Sequence, residues 1–289
     1  MKTRGIILIA AGHINYTRMA RNLAISLKAN DPDVKISLIH SDPIPEGIEN
    51  EGLFDQFIQA PVESYHTFGV TQYFKLKTWL YTLTPYDESL YLDVDMVWIK
   101  GRKPSDLMES LSDVEFSMAN YGHTTIDKGA DSFWADVNEV KKAWNLTDEK
   151  WYSYSSEIMW FKKSKDVKKY FDKAKSIYEN PKVKTLEFGG SQMADELAFM
   201  IASSITGMFP HQDKWQPIFW HHKQPGKKNL APYQLAQDFW AYSMGGNGHP
   251  TNIISNYNSL VNHYCNILGF SNSYLWKDKK TYLNTRVKI

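Results

Sequence analysis

The stretch at residues 91–100, YLDVDMVWIK, constrains this chain more than any other. Residues 89–92 follow a turn at Pro85, Tyr86 and Asp87 and are apolar and aromatic, the pattern of a short buried strand. Asp93 and Asp95 stand directly after it, on either side of Val94, and Met96, Val97, Trp98 and Ile99 continue the apolar run. Carboxylates at the end of a buried strand are costly unless something compensates them. The carboxyl edge of an open α/β sheet is also where ligands bind. Two oxygen ligands one residue apart suit a hard divalent cation that keeps open positions for phosphate oxygens. An acidic turn is the plainer reading of an isolated D-x-D, so the surrounding chain has to carry the argument.

The opening of the chain supplies part of that context. Residues 5–11 read as a first buried strand, running into a small-residue turn at Ala10, Ala11 and Gly12. From residue 17 to 28 the spacing of Met19, Ala20, Leu23, Ala24 and Leu27 is helical, and residues 34–40 form a second strand. This β-turn-α-β order opens a nucleotide-binding α/β layer. Neither G-x-G-x-x-G nor G-x-x-x-x-G-K-[ST] occurs, which removes the usual dinucleotide and P-loop readings. Tyr16 instead offers a flat ring on which a base could stack.

Further on, residues 56–59 form a short strand, and residues 74–83 an amphipathic helix carrying Lys75 and Lys77. Residues 115–119 and 155–161 read as strands, and residues 166–178 as a helix with lysines on its outer face. Residues 120–150 look like an irregular insertion of the kind that forms lids. A helix over about 192–204 begins with Asp195 and Glu196, ordinary partners for a helix dipole unless a site lies nearby. The final third is rich in aromatics and histidines, His221, His222, His249 and His263 among them, with no zinc-ligand spacing.

With 33 Lys and Arg against 32 Asp and Glu, overall charge does not mark a nucleic-acid binder. One cysteine, Cys265, excludes an internal disulfide and favours a reducing compartment. The apolar run at residues 6–11 is too short for a signal peptide, and no run approaches the roughly 20 residues of a membrane span. The expectation is a soluble, cytoplasmic α/β protein with one domain over residues 1–269 and a basic extension at 270–289.

Taken in order, IAAGHINYTRMARNLAISL, KLKTW, LTPYDESLYLDVDMV, SSEIMWF, GGSQMADELAF and NHYCNILG resemble the GT-A glycosyltransferases. The likeness is nearest to the glycogenin and galactosyltransferase-like group, glycosyltransferase family 8, and spans residues 5–269. It implies a GT-A fold, a single Rossmann-like mixed sheet flanked by helices. It also implies sugar transfer from a nucleoside diphosphate sugar, a UDP-sugar, with retention of configuration. On this resemblance Ala10, Ala11 and Tyr16 bind the base and ribose. Asp93 contacts ribose, sugar or metal, and Asp95 and His263 ligate Mn2+ or Mg2+. Lys75 lies near the donor phosphates, Ser155 and Ser156 form a polar turn beside the sugar, and Asp195 holds sugar hydroxyls. Glu196 replaces the glutamine that usually follows that aspartate, and Ser155 and Glu157 replace the usual asparagine and glycine. The terminal phosphate-gripping lysine has no clean counterpart, Lys277 standing nearest. The acceptor is left open: a glycan, lipid-linked sugar, protein or small molecule. Alternatives are a hydroxymethylated base in viral DNA, and a nucleotide-sugar-binding module without turnover.

Overall fold

A computed structural model of the 289-residue chain describes residues 2–67, 69–127, 130, 132–147, 149–188, 192–220, 235, 238–245, 251–270, 272–276 and 285–288. His221, His222, His249 and Lys277 lie outside these residues. The chain divides into two units, each built from three separate segments. One contains Gly5–Ile58, Leu92–Ser112 and Gln216–Ile289; the other contains Met1–Arg4, Gln59–Tyr91 and Asp113–Trp215.

The first unit begins with β1 (Arg4–Ala10), α1 (Ile14–Asn30), β2 (Ile36–His40) and β3 (Gln56–Gln59), ordered β3-β2-β1 in a sheet. β1 and β2 are parallel, Ile6 opposite Ile36 and Ala10 opposite His40. A parallel pair needs a crossover, and α1 supplies it with an almost wholly buried face from Met19 to Leu27. In a second sheet of this unit, β7 (Met96–Trp98) pairs antiparallel with β13 (Ala241–Ser243), which pairs in parallel with β12 (Ile218–Phe219). The Ser26 hydroxyl ties α1 to β7, accepting from the Trp98 N–H at 2.8 Å while donating to Leu23 O. The long C-terminal helix α7 (Thr251–Leu268) packs on α1, and Tyr264 donates its hydroxyl hydrogen to Trp98 O at 2.9 Å. This helix was not anticipated. Its signal is present, since Ile253, Tyr257, Leu260, Val261, Tyr264 and Cys265 are buried at helical spacing, but interleaved asparagines dilute it.

The other unit is built around β6 (Glu88–Leu92), β9 (Lys150–Lys162) and β8 (Phe116–Thr125), with β9 in the middle. The helices α5 (Lys165–Glu179) and α6 (Asp195–Thr206) pack on each other, and α6 lies against β9. As expected, α5 buries Val167, Tyr170, Phe171, Ala174 and Ile177 and turns Lys165, Lys168 and Lys169 to solvent. Two expectations are corrected. Residues 74–83 are not one α-helix but a 3-10 stretch over Tyr73–Trp79 followed by the short α2 (Leu80–Leu83). The supposed irregular insertion is largely regular: β8 runs on to Thr125, β9 starts at Lys150, and α4 (Val137–Trp144) lies between them. The Asp136 side chain caps α4 by accepting from the Asn138 and Glu139 N–H groups, and Asn145 ends it in the left-handed region.

Pairing of β8 with β9 is interrupted. Met118 faces Met159 while the next residue, Ala119, faces Ser155, so Ser156, Glu157 and Ile158 have no opposite residues. A bulge of this kind bends its strand and re-aims side chains. Among the described residues no helix is long and apolar enough to cross a membrane.

Candidate functional site

In the first unit, Asp93 and Asp95 are half-buried and precede the fully buried β7, in the chain segment that follows β6. The backbone of Asp95 is fixed, its carbonyl accepting from the Met244 N–H at 2.8 Å just beyond β13. Tyr257 on α7 lies close enough to feel this carboxylate. Burial, with the Asp95 charge adding to it, pushes the Tyr257 phenol well above its ordinary value.

The turn after β1 is organised by a carboxylate. Gly12, at φ +88°, gives its N–H to Asp42 Oδ2 at 2.7 Å and to Ser41 Oγ at 3.0 Å. Ser41 in turn donates to Asp42 at 2.8 Å. Ala10 and Ala11 are buried beneath this turn, and Tyr16, in the first turn of α1, is 37% exposed. The His13 side chain caps α1 by accepting from the Asn15 N–H at 3.1 Å. Asp42 was missed by sequence reasoning, although a carboxylate just past the carboxyl end of a parallel strand is a usable signal.

His263 lies on α7. Its Nε2 is buried and has no hydrogen-bond partner among the described residues. Burial, and then the charge of Lys100, hold the imidazole below its usual range. Six residues separate it from Tyr257, an axial rise of about 9 Å. Lys100 lies close enough for its charge to reach the His263 ring, and the neighbouring Tyr264 holds Trp98 O. Among the described residues, no three His, Cys, Asp or Glu side chains come together as a metal-holding group.

In the other unit, Lys77, Ser156, Asp195 and Glu196 meet. The Lys77 ammonium donates to Ser156 Oγ at 2.9 Å, and Ser156 donates to Glu196 Oε1 at 3.0 Å. Asp195 Oδ2 lies 3.7 Å from the same ammonium. Lys77, Ser156 and Asp195 are buried, and the ammonium also sits 5.7 Å over the Tyr91 ring. Two phenols border the group. Tyr121 is pushed up by burial and then by the Glu157 and Glu196 carboxylates, and Tyr178 by burial and then by Asp195 and Glu196. The β9 bulge brings Ser156 to this cluster, while Ser155, next to it, stays in the ladder opposite Ala119.

Lys75, expected near the donor phosphates, makes three contacts within its own unit. Its ammonium donates to Glu63 O at 2.6 Å and Thr67 Oγ1 at 2.7 Å and pairs with Glu179 at 2.9 Å. The lysine that reaches Asp195 and Ser156 is Lys77. The structure therefore gathers the expected residues into two sets. Ala10, Ala11, Tyr16, Asp93, Asp95 and His263 belong to one unit; Lys75, Ser155, Ser156, Asp195 and Glu196 belong to the other.

No family model and no curated protein sequence matches the chain. Solved structures do. The apo structure of the bifunctional glycosyltransferase WbbM is similar at a TM-score of 0.56 and 11% identity, covering 93% of this chain; the chain spans about half of that protein, 52%. The galactosyltransferase LgtC, in complex with donor and acceptor sugar analogs, gives a TM-score of 0.54 at 13% identity, covering 92% of this chain and 95% of LgtC. GlyE from Streptococcus pneumoniae TIGR4 gives 0.50 at 13% identity, covering 91% and 64%. These likenesses establish a mixed α/β fold of the GT-A type, a mixed sheet flanked by helices.

Proposed function

We propose that this chain, which has the fold of the GT-A glycosyltransferases, moves a sugar from a nucleoside diphosphate sugar, a UDP-sugar by its sequence resemblance, to an acceptor hydroxyl. The observation that carries the reading is the half-buried pair Asp93 and Asp95 directly after a fully buried strand in a GT-A fold. Two hard oxygen ligands there fit Mn2+ or Mg2+. A bound cation would neutralise charge on the departing diphosphate. His263 is the nitrogen that the resemblance adds to this pair. Its Nε2, buried without a hydrogen-bond partner among the described residues, has ligand chemistry and supports the proposal beside the carboxylates.

The remaining roles belong to the chain's own groups. Tyr16 stacks on the base, and the Ala10–Ala11 turn, fixed by Asp42, leaves room for the ribose. Asp195 accepts hydrogen bonds from hydroxyls of the sugar. Glu196 presents a carboxylate to the anomeric centre, where positive character develops in a reaction with retention.

The direct test is a thermal-shift panel of UDP-, GDP- and CMP-sugars with and without Mn2+. A ligand at 100 times its Kd stabilises the folded state by about 2.7 kcal/mol, a readable rise in Tm. A UDP-sugar is expected to raise Tm only with Mn2+, and Asp95→Asn to lose both that rise and turnover while keeping its own Tm. Full turnover of Asp95→Asn in EDTA would remove the cation from the proposal.

A further inference from the structure

Lys77 has no role in the reading so far, yet its ammonium is buried and held by both Ser156 and Asp195. An ammonium can only donate, so the Ser156 oxygen must accept from it. The single hydroxyl hydrogen of Ser156 is then left to donate, and Glu196 Oε1 lies 3.0 Å away to accept it. The donor end of the chain Lys77 to Ser156 to Glu196 is thus set by the ammonium, which can only donate. The same ammonium lies 3.7 Å from the Asp195 carboxylate, so one cation faces both neighbouring carboxylates, one directly and one through a hydroxyl. Both features depend on irregular backbone: the 3-10 stretch that carries Lys77 and the bulge that carries Ser156.

We propose that Lys77 is a positioning residue for the transfer: through Ser156 it fixes the carboxylate of Glu196, and by its charge it holds Asp195 in place beside it. The proposal rests on the reading of Asp195 and Glu196 as the carboxylates that serve the donor sugar. Lys77 itself need not touch the substrate. Its contribution is orientation, and misplacing a reacting group by about 1 Å costs about 100-fold in rate.

Ser156→Ala removes only the linking hydroxyl and leaves Lys77 and Asp195 paired. It is expected to lower kcat by about 100-fold with the donor KM within about threefold, the signature of lost orientation rather than lost binding. Lys77→Arg should keep kcat within about tenfold of the parent and Lys77→Met should not, whereas a merely structural cation would show in Tm and not in kcat. Crystal structures of the three variants give a readout that needs no substrate. The Glu196 carboxylate should be displaced in Ser156→Ala and Lys77→Met and retained in Lys77→Arg. An unmoved Glu196 in Ser156→Ala, or an unchanged kcat there, overturns the positioning role. A parent chain that turns over no nucleotide sugar overturns the transferase reading instead, and the carboxylate geometry still decides whether Lys77 positions Glu196.

Discussion

Lys75 and Lys77 are two positions apart in sequence and make unrelated contacts. On a 3-10 stretch with three residues per turn, positions two apart point about 120° away from each other. Lys75 therefore turns to Glu63, Thr67 and Glu179, and Lys77 to Ser156 and Asp195. Because Lys75 is 3% exposed and makes three charge-assisted contacts, its role is to hold the chain around residues 63–67 against the end of α5. Lys75→Met should lower the unfolding free energy by about 2 kcal/mol, the scale of hydrogen bonds to a charged group. Urea denaturation would measure this, with the donor KM unchanged; a collapse of activity at parental stability would assign Lys75 to the donor after all. That two lysines precede the D-x-D strand was plain from sequence. Which one faces the carboxylates was not, because it depends on the phase of a helix type that apolar spacing does not distinguish.

At the level of elements, strands and helices were easier to read than their interruptions. The strand at residues 56–59 lies where expected, and α5 extends one residue beyond each end of the expected helix. Both follow from local apolar periodicity. The bulges between β8 and β9 were invisible because a bulge is a property of two strands and their register, not of either alone. Gly122 marks the second irregularity, between the pairs Asn120–Tyr154 and His123–Tyr152. Its φ is +102°, and a Cβ there would meet the Lys214 side chain at 3.1 Å. Gly122→Ala should therefore destabilise by about 1–3 kcal/mol, the cost of a sparsely populated backbone conformation. Thermal unfolding would register it as a lowered Tm; an unchanged Tm would mean that the irregularity relaxes freely.

Each compact unit is assembled from three stretches of chain, and this limits how the molecule can be divided. The longest stretch of its unit, residues 113–215, carries β8, β9, α5 and α6 but lacks β6, which the strand order places next to β9, and the 3-10 stretch that packs on α5. Expressed alone, it should have helical far-UV dichroism without fixed near-UV aromatic signals. A sharp, two-state melt of that fragment would contradict this. The GT-A fold was legible from sequence through the resemblance of motifs such as LYLDVDMV and GGSQMADELAF, taken in order, to the GT-A glycosyltransferases. The division into two units was not, because neighbours in each unit come from distant parts of the chain. The three residues of β9 without opposites on β8 form the larger of two interruptions in this ladder, and Ser156, which reaches Glu196, is the first of them. Because β9 also has β6 on its other side, gaining or losing one of these residues would shift that second pairing and turn alternate side chains to the other face. The position of the serine that reaches Glu196 is thus fixed by two neighbouring strands at once.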